Sequence, residues 1–101
     1  MNNEQKINVT IKLVWNPKNT FFEGHIMQSL DSLNILDTPS IMSIHLRAKI
    51  VKLYPQELAF FVAYTINSKP KKTYWIHGNQ NQIYKNLESI PYVNISFSLE
   101  Y

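Results

Sequence analysis

The chain is 101 residues long, 45% apolar and 17% charged, a balance that fits one folded domain with its own core and argues against disorder. It contains no cysteine, which excludes disulfides, thiol catalysis and thiolate metal sites. A formal charge of +3 and a pI near 9.2 give a mild basic bias, short of a typical nucleic-acid-binding surface, and Arg47 is the only arginine.

The opening residues MNNEQK are polar and carry no apolar segment of the secretory type. Alternation then begins. Ile7, Val9, Ile11, Leu13 and Trp15 share one face, and Lys6, Asn8, Thr10 and Lys12 the other, which predicts a strand with one wet face. The turn NPKN follows.

Thr20-Phe-Phe-Glu23 has the form of a capping box, and Phe22, Ile26, Leu30 and Leu33 follow at helical spacing. This predicts a helix over 21–35, weakened by Gly24. A hairpin through Glu23-Gly24-His25 is the alternative. After Asp37-Thr-Pro-Ser, the residues Met42, Ile44, Leu46, Ala48 and Ile50 alternate with Ser43, His45, Arg47 and Lys49 in a second strand. Tyr54-Pro55-Gln56-Glu57 turns the chain. Leu58 to Ile66 is apolar on both faces, as in a central strand covered on both sides. Its apolar run LAFFVAY is too short to span a membrane.

Asn67 to Lys72 reads as a polar hairpin loop and Thr73 to His77 as the next strand. Gly78-Asn79 leads into a short helix with Ile83, Leu87 and Ile90 inward, ended by Pro91. Val93 to Tyr101 alternates again, in a strand expected at an edge or beside the first. The sequence thus predicts a single compact α+β domain over 1–101. Its order is β-α-β-β-β-α-β, with one mostly antiparallel sheet and helices packed on one face.

Two groups of residues bear on function. His77 ends a strand just before a helix carrying Tyr84, and a histidine so placed can serve as a general base. With Arg47 and the lysines it would form a metal-free ribonuclease site; the competing reading makes His77-Gly78-Asn79 a structural corner. The stretches LRAKI, AFFVAYTI and KKTYWIHGNQNQIY, within residues 44–85, loosely resemble RelE-type messenger-RNA-cleaving toxins. That resemblance implies ribonuclease activity without a metal. The family's richer arginine content and its two helices after the first strand are missing here.

The second group is a basic strip. His45, Arg47 and Lys49 lie on one strand, Lys52 just beyond, and Lys69, Lys71 and Lys72 in the following hairpin loop, with Tyr74 and Trp75 as stacking residues. It reads either as a partner surface or as a solvated sheet face whose lysines discourage aggregation. The histidines have no metal-ligand spacing and there is no Gly-rich phosphate loop, so neither metal nor cofactor is expected.

The expected function is a small, non-enzymatic binding module acting on a protein partner through His45, Arg47, Lys49, Lys52, Lys69, Lys71, Lys72 and Tyr74. A homodimer through an edge strand is a further expectation. The abundance of Asn, Ile and Lys points to an A/T-rich genome. By analogy this suggests an inhibitor, immunity or accessory protein in the cytoplasm of a low-GC bacterium or encoded by its phage. The alternatives are an RNA or single-stranded nucleic-acid binder and the RelE-like ribonuclease.

Overall fold

The structure is a computed structural model and describes residues 5–33, 37 and 39–101. Five strands run as a meander: β1 (Ile7–Asn16), β2 (Phe21–Ser29), β3 (Ile41–Leu53), β4 (Gln56–Ile66) and β5 (Lys69–Gly78). A helix, α1 (Gln80–Leu87), then carries the chain to β6 (Val93–Glu100), which pairs in parallel with β1 from Ile7↔Val93 to Val14↔Glu100. The order across the sheet is β5-β4-β3-β2-β1-β6, and every other pairing is antiparallel.

Strict alternation assigns the two faces. Val9, Ile11 and Leu13 of β1 are buried, as are Met42, Ile44, Leu46 and Ala48 of β3 and Leu58, Phe60 and Val62 of β4. The residues between them face out. The sheet curls around α1, whose Ile83 and Leu87 are buried in the concavity. The curl is close enough to bring Phe60 of β4 and Phe97 of β6 to 4.7 Å between ring centroids, although three strands separate them in the sheet. Apolar burial on this one side is the main source of stability.

The predicted α+β class is corrected. Strands make up 66% of the described residues, one helix exceeds a single turn, and the six-stranded sheet is mixed and curled, without several helices on a face. The helix expected over 21–35 is absent where it is described. Phe21–Ser29 is a strand, Asp31–Leu33 is a single 3-10 turn, and residues 34 and 35 lie outside the described residues. Thr20 does not cap a helix. It closes the β1–β2 turn with φ 57°, its N–H donating to the Asn16 carbonyl at 2.8 Å. The alternative hairpin at Glu23–His25 is absent too, because those residues pair mid-strand with Arg47, Leu46 and His45.

Gly24 marks a close approach of β1 and β2. A Cβ built there would lie 2.5 Å from the Lys12 carbonyl oxygen and 2.7 Å from Leu13 Cδ2, so only glycine fits.

Two further expectations are revised. The hairpin loop of 67–72 shrinks to Asn67 and Ser68, both at positive φ (51° and 67°), the two-residue turn that matches strand twist. Lys69–Lys72 therefore belong to β5. And β4 is covered on one face only: Ala59, Phe61 and Ala63 are part-exposed on the outer side.

Candidate functional site

Among the described residues the outer, convex face carries no helix, and α1 lies on the other side. Register places one row of side chains straight across it. Glu23 of β2 lies opposite Arg47 of β3, Arg47 opposite Phe61 of β4, and Phe61 opposite Trp75 of β5. Directly opposed side chains on one face are near enough to interact.

The Arg47 guanidinium carbon sits 5.0 Å from the Phe21 ring centroid and 5.4 Å from that of Phe61, within cation–π range of both. Phe61 in turn lies 5.1 Å from Trp75, centroid to centroid, and 6.1 Å from His45. Phe21, Arg47, Phe61 and Trp75 thus form a continuous row over four strands, ending in an indole that is 65% exposed.

Glu23 organises the polar side of that row. Its Oε2 accepts from His45 Nε2 at 2.7 Å and from Arg47 Nε at 3.0 Å. The hydrogen bond from His45 holds the Glu23 carboxyl below its ordinary range; Arg47 acts in the same direction and burial opposes both. The next row holds His25, whose Nε2 lies 2.7 Å from Ser43 Oγ and whose ring stands edge-on to His45 at 5.9 Å.

Ala59 and Ala63 flank Phe61 on the outer face of β4, and the missing side-chain bulk leaves a hollow on each side of the row. One, of about 730 Å³, is lined by His25, Ser43, His45, Ala63, Thr65 and Thr73 among others. The other, of about 390 Å³, is lined by Phe21, Arg47, Ala48, Lys49, Ala59 and Trp75.

The structure places the expected basic strip in three locations. His45, Arg47 and Lys49 do share the outer face of β3. Lys52 lies past an irregularity between Ile50 and Lys52, where its Nζ is 4.0 Å from Glu57. Lys69, Lys71 and Lys72 line the edge strand β5 at the opposite end of the sheet, level with Ile66 and Tyr64. Tyr74 faces the concave side and packs against the core, with its hydroxyl buried and unbonded among the described residues.

The expected ribonuclease pair is also separated in role. His77 is exposed, 4.0 Å from Glu57 Oε1. Asn79 caps α1 with a full capping box to Gln82, so His77-Gly78-Asn79 forms the corner between β5 and α1. The Tyr84 hydroxyl donates to the Phe97 carbonyl at 3.1 Å and accepts the Phe97 N–H at 3.2 Å, which leaves it no proton for a substrate.

Sequence reasoning did not connect Phe21, Glu23 and His25 to this surface, because a helix over 21–35 removed them from the sheet. Among the described residues no three His, Cys, Asp or Glu side chains converge as metal ligands, and no helix is long and apolar enough to cross a membrane. Comparison with protein-family models, with curated proteins and with solved structures finds no match to this chain.

Proposed function

We propose that this protein is a non-enzymatic binding module that engages a protein partner, in the cytoplasm, through the outer face of its sheet. The observation that carries the reading is the row Phe21–Arg47–Phe61–Trp75. Tryptophan and arginine, with aromatic neighbours, dominate the energetic centres of protein interfaces. Here they are packed into fixed positions by strand register, so little side-chain freedom is lost on binding. Hollows on both sides of the row offer receptacles for a partner's side chains. Lys49, Thr73 and His77 supply a polar rim.

The same row bears on the nucleic-acid alternative. Arg47 is already engaged by Glu23, so the centre of the face presents a neutralised guanidinium where a phosphate would need a free one.

The test is capture from a lysate of the source organism on immobilised wild-type, Trp75→Ala and Arg47→Ala proteins, followed by reconstitution with the purified partner. Both variants are expected to keep the wild-type circular dichroism spectrum and to weaken binding by about 30-fold or more, about 2 kcal/mol each. A partner held equally by all three proteins would refute this face. Labelled single-stranded RNA, titrated at low and raised salt, is the control for the alternative. Salt-sensitive binding lost in Trp75→Ala would replace a protein partner with nucleic acid.

A further inference from the structure

Two strands end the sheet, and they differ in what their outer backbone meets. β6 is blocked at Phe97, whose N–H and carbonyl are both taken by the Tyr84 hydroxyl. β5 pairs with β4 on one side only. The hydrogen bond from the Asn67 N–H to the Ile41 carbonyl, 2.9 Å, fixes the alternation of the β3–β4 ladder. Ser43, His45, Arg47 and Lys49 therefore bond to Thr65, Ala63, Phe61 and Ala59, and the β4 residues between those turn to β5. Their partners are Lys72, Tyr74, Ile76 and Gly78. Thr73, Trp75 and His77 are left with N–H and C=O groups pointing away from the sheet, and none of these finds a partner among the described residues.

The side chains of the same three residues lie on the outer face, opposite Ala63, Phe61 and Ala59. Trp75 is thus both the last member of the row that begins at Phe21 and the centre of a bare backbone edge. Its indole is 65% exposed, with no further strand beside it. Charge along this edge is one-sided. Lys69, Lys71 and Lys72 crowd its start, all exposed and without an ion pair among the described residues. At its other end His77 faces Glu57 at 4.0 Å. Edge lysines repel a cationic strand, whereas a strand with carboxylates at the matching end gains from them. A second copy brings the same +3 charge and the same three lysines, which makes it the poorer occupant.

We propose, resting on the outer face as the partner surface, that an acidic extended segment of the protein partner adds to β5 as a seventh strand. It runs antiparallel, as β4 does on the other side, since that ladder is slightly the more stable. Main-chain bonds form at Thr73, Trp75 and His77. An aromatic or β-branched residue of the segment sits opposite Trp75 and extends the row Phe21–Arg47–Phe61–Trp75 by one place. Carboxylates toward the C-terminal end of the segment meet Lys69, Lys71 and Lys72.

The probe is the peptide acetyl-Thr-Val-Thr-Tyr-Thr-Val-Asp-Glu-Asp-amide, titrated into the isotope-labelled full chain and followed by NMR. Saturable binding is expected, with amide exchange slowed at Thr73, Trp75 and His77 and little changed at Tyr74 and Ile76, which β4 already holds. N-methylation of the peptide at its Tyr and second Val should abolish binding while leaving the protein untouched. Lys69→Gln, Lys71→Gln and Lys72→Gln together should weaken it about tenfold, the worth of three exposed ion pairs, and Trp75→Ala about fivefold. A peptide with Lys at its three acidic positions should not bind. No saturable binding, no amide protection, or equal binding of the N-methylated or Lys-bearing peptide would each overturn the added strand. Protection of the same three amides by self-association, without peptide, would overturn it in favour of a second copy. If the added strand is overturned while Trp75→Ala still loses the captured partner, the outer face stands without its edge; if that capture is also unchanged, both fall.

Discussion

The Tyr84 hydroxyl forms two hydrogen bonds to one residue, donating to the Phe97 carbonyl and accepting the Phe97 N–H, with the two rings 5.0 Å apart. Phe97 belongs to β6, an edge of the sheet. A helix side chain therefore stands where a seventh strand would pair, and it meets the edge at both its donor and its acceptor. Open edges are templates for association, and covering one with a helix is among the recognised defences. The other edge, β5, is defended differently, by Pro70 and the lysines at 69, 71 and 72.

Replacing Tyr84 by phenylalanine keeps the ring and removes both bonds. The expected cost is about 1–2 kcal/mol in chemical denaturation. Sedimentation should show stronger concentration-dependent association than the wild-type protein. A variant that associates no more than wild type and is as stable would show that the hydroxyl does not guard the edge.

Tyr74 presents the opposite case. Its hydroxyl is buried without a hydrogen-bond partner among the described residues; burial, with the nearby Tyr64 adding, pushes its ionisation above the usual tyrosine range. Ser89, whose hydroxyl donates to the Asn86 carbonyl, acts in the opposite direction. Tyr74→Phe removes the stranded group and is expected to stabilise the fold by about 1 kcal/mol, roughly 4–8 °C in Tm. A lower Tm would mean that the hydroxyl has a partner.

Gly24→Ala should be among the most damaging small substitutions. The added methyl meets backbone at Lys12 and side chains of Leu13 and Ile11 at 2.8 Å or less. Because β1 is held by β6 on its far side, it has little room to retreat. A loss of about 1–3 kcal/mol is expected from equilibrium unfolding; a neutral result would show that β1 yields.

Acid should act through Glu23. Its folded pKa lies below the ordinary 4.5, so its contribution is present above the unfolded value and disappears as pH falls through the folded one. Between pH 7 and pH 3, Glu23→Gln should lose less Tm than wild type. At pH 7 the variant should also release Arg47 and His45, measurable as weaker partner binding. Parallel pH profiles for the two proteins would remove Glu23 from this role.

Much of the sheet was legible because alternation in β1, β3 and β6 is unbroken, and α1 announced itself through Asn79, Ile83 and Leu87. The β2 strand was not. Phe22, Ile26 and Leu30 are spaced by four, and four residues satisfy a helical face and a strand face alike. Gly24, one of the positions between, has no side chain with which to reveal the period of two. Thr20 and Glu23 add the semblance of a cap. The odd-numbered residues Phe21, Glu23, His25 and Met27, all outward, carried the discriminating signal. Losing β2 also lost the site, since Glu23 meets Arg47 and His45 only through β2–β3 register. The basic strip does not form one surface for another reason: sequence proximity keeps Lys72 beside Tyr74, its Nζ 5.3 Å from the ring centroid, but says nothing about the end of the sheet a hairpin reaches, nor the side to which an edge tyrosine turns.

The parallel pairing of β1 with β6 joins partners as far apart in the chain as Asn8 and Asn94, 86 residues. On a translating ribosome the meander is exposed before its sixth strand. At about 5–20 residues per second, the exit of α1 and β6 leaves β1 with a bare flank for roughly a few seconds. The nascent molecule is thus most open to the wrong neighbour at its first strand, and only the return of β6 seals it. Contacts of such long range also make for slow closure. Chaperone demand in the cell should accordingly follow the sequence of β6 more closely than that of the better-buried β3 and β4.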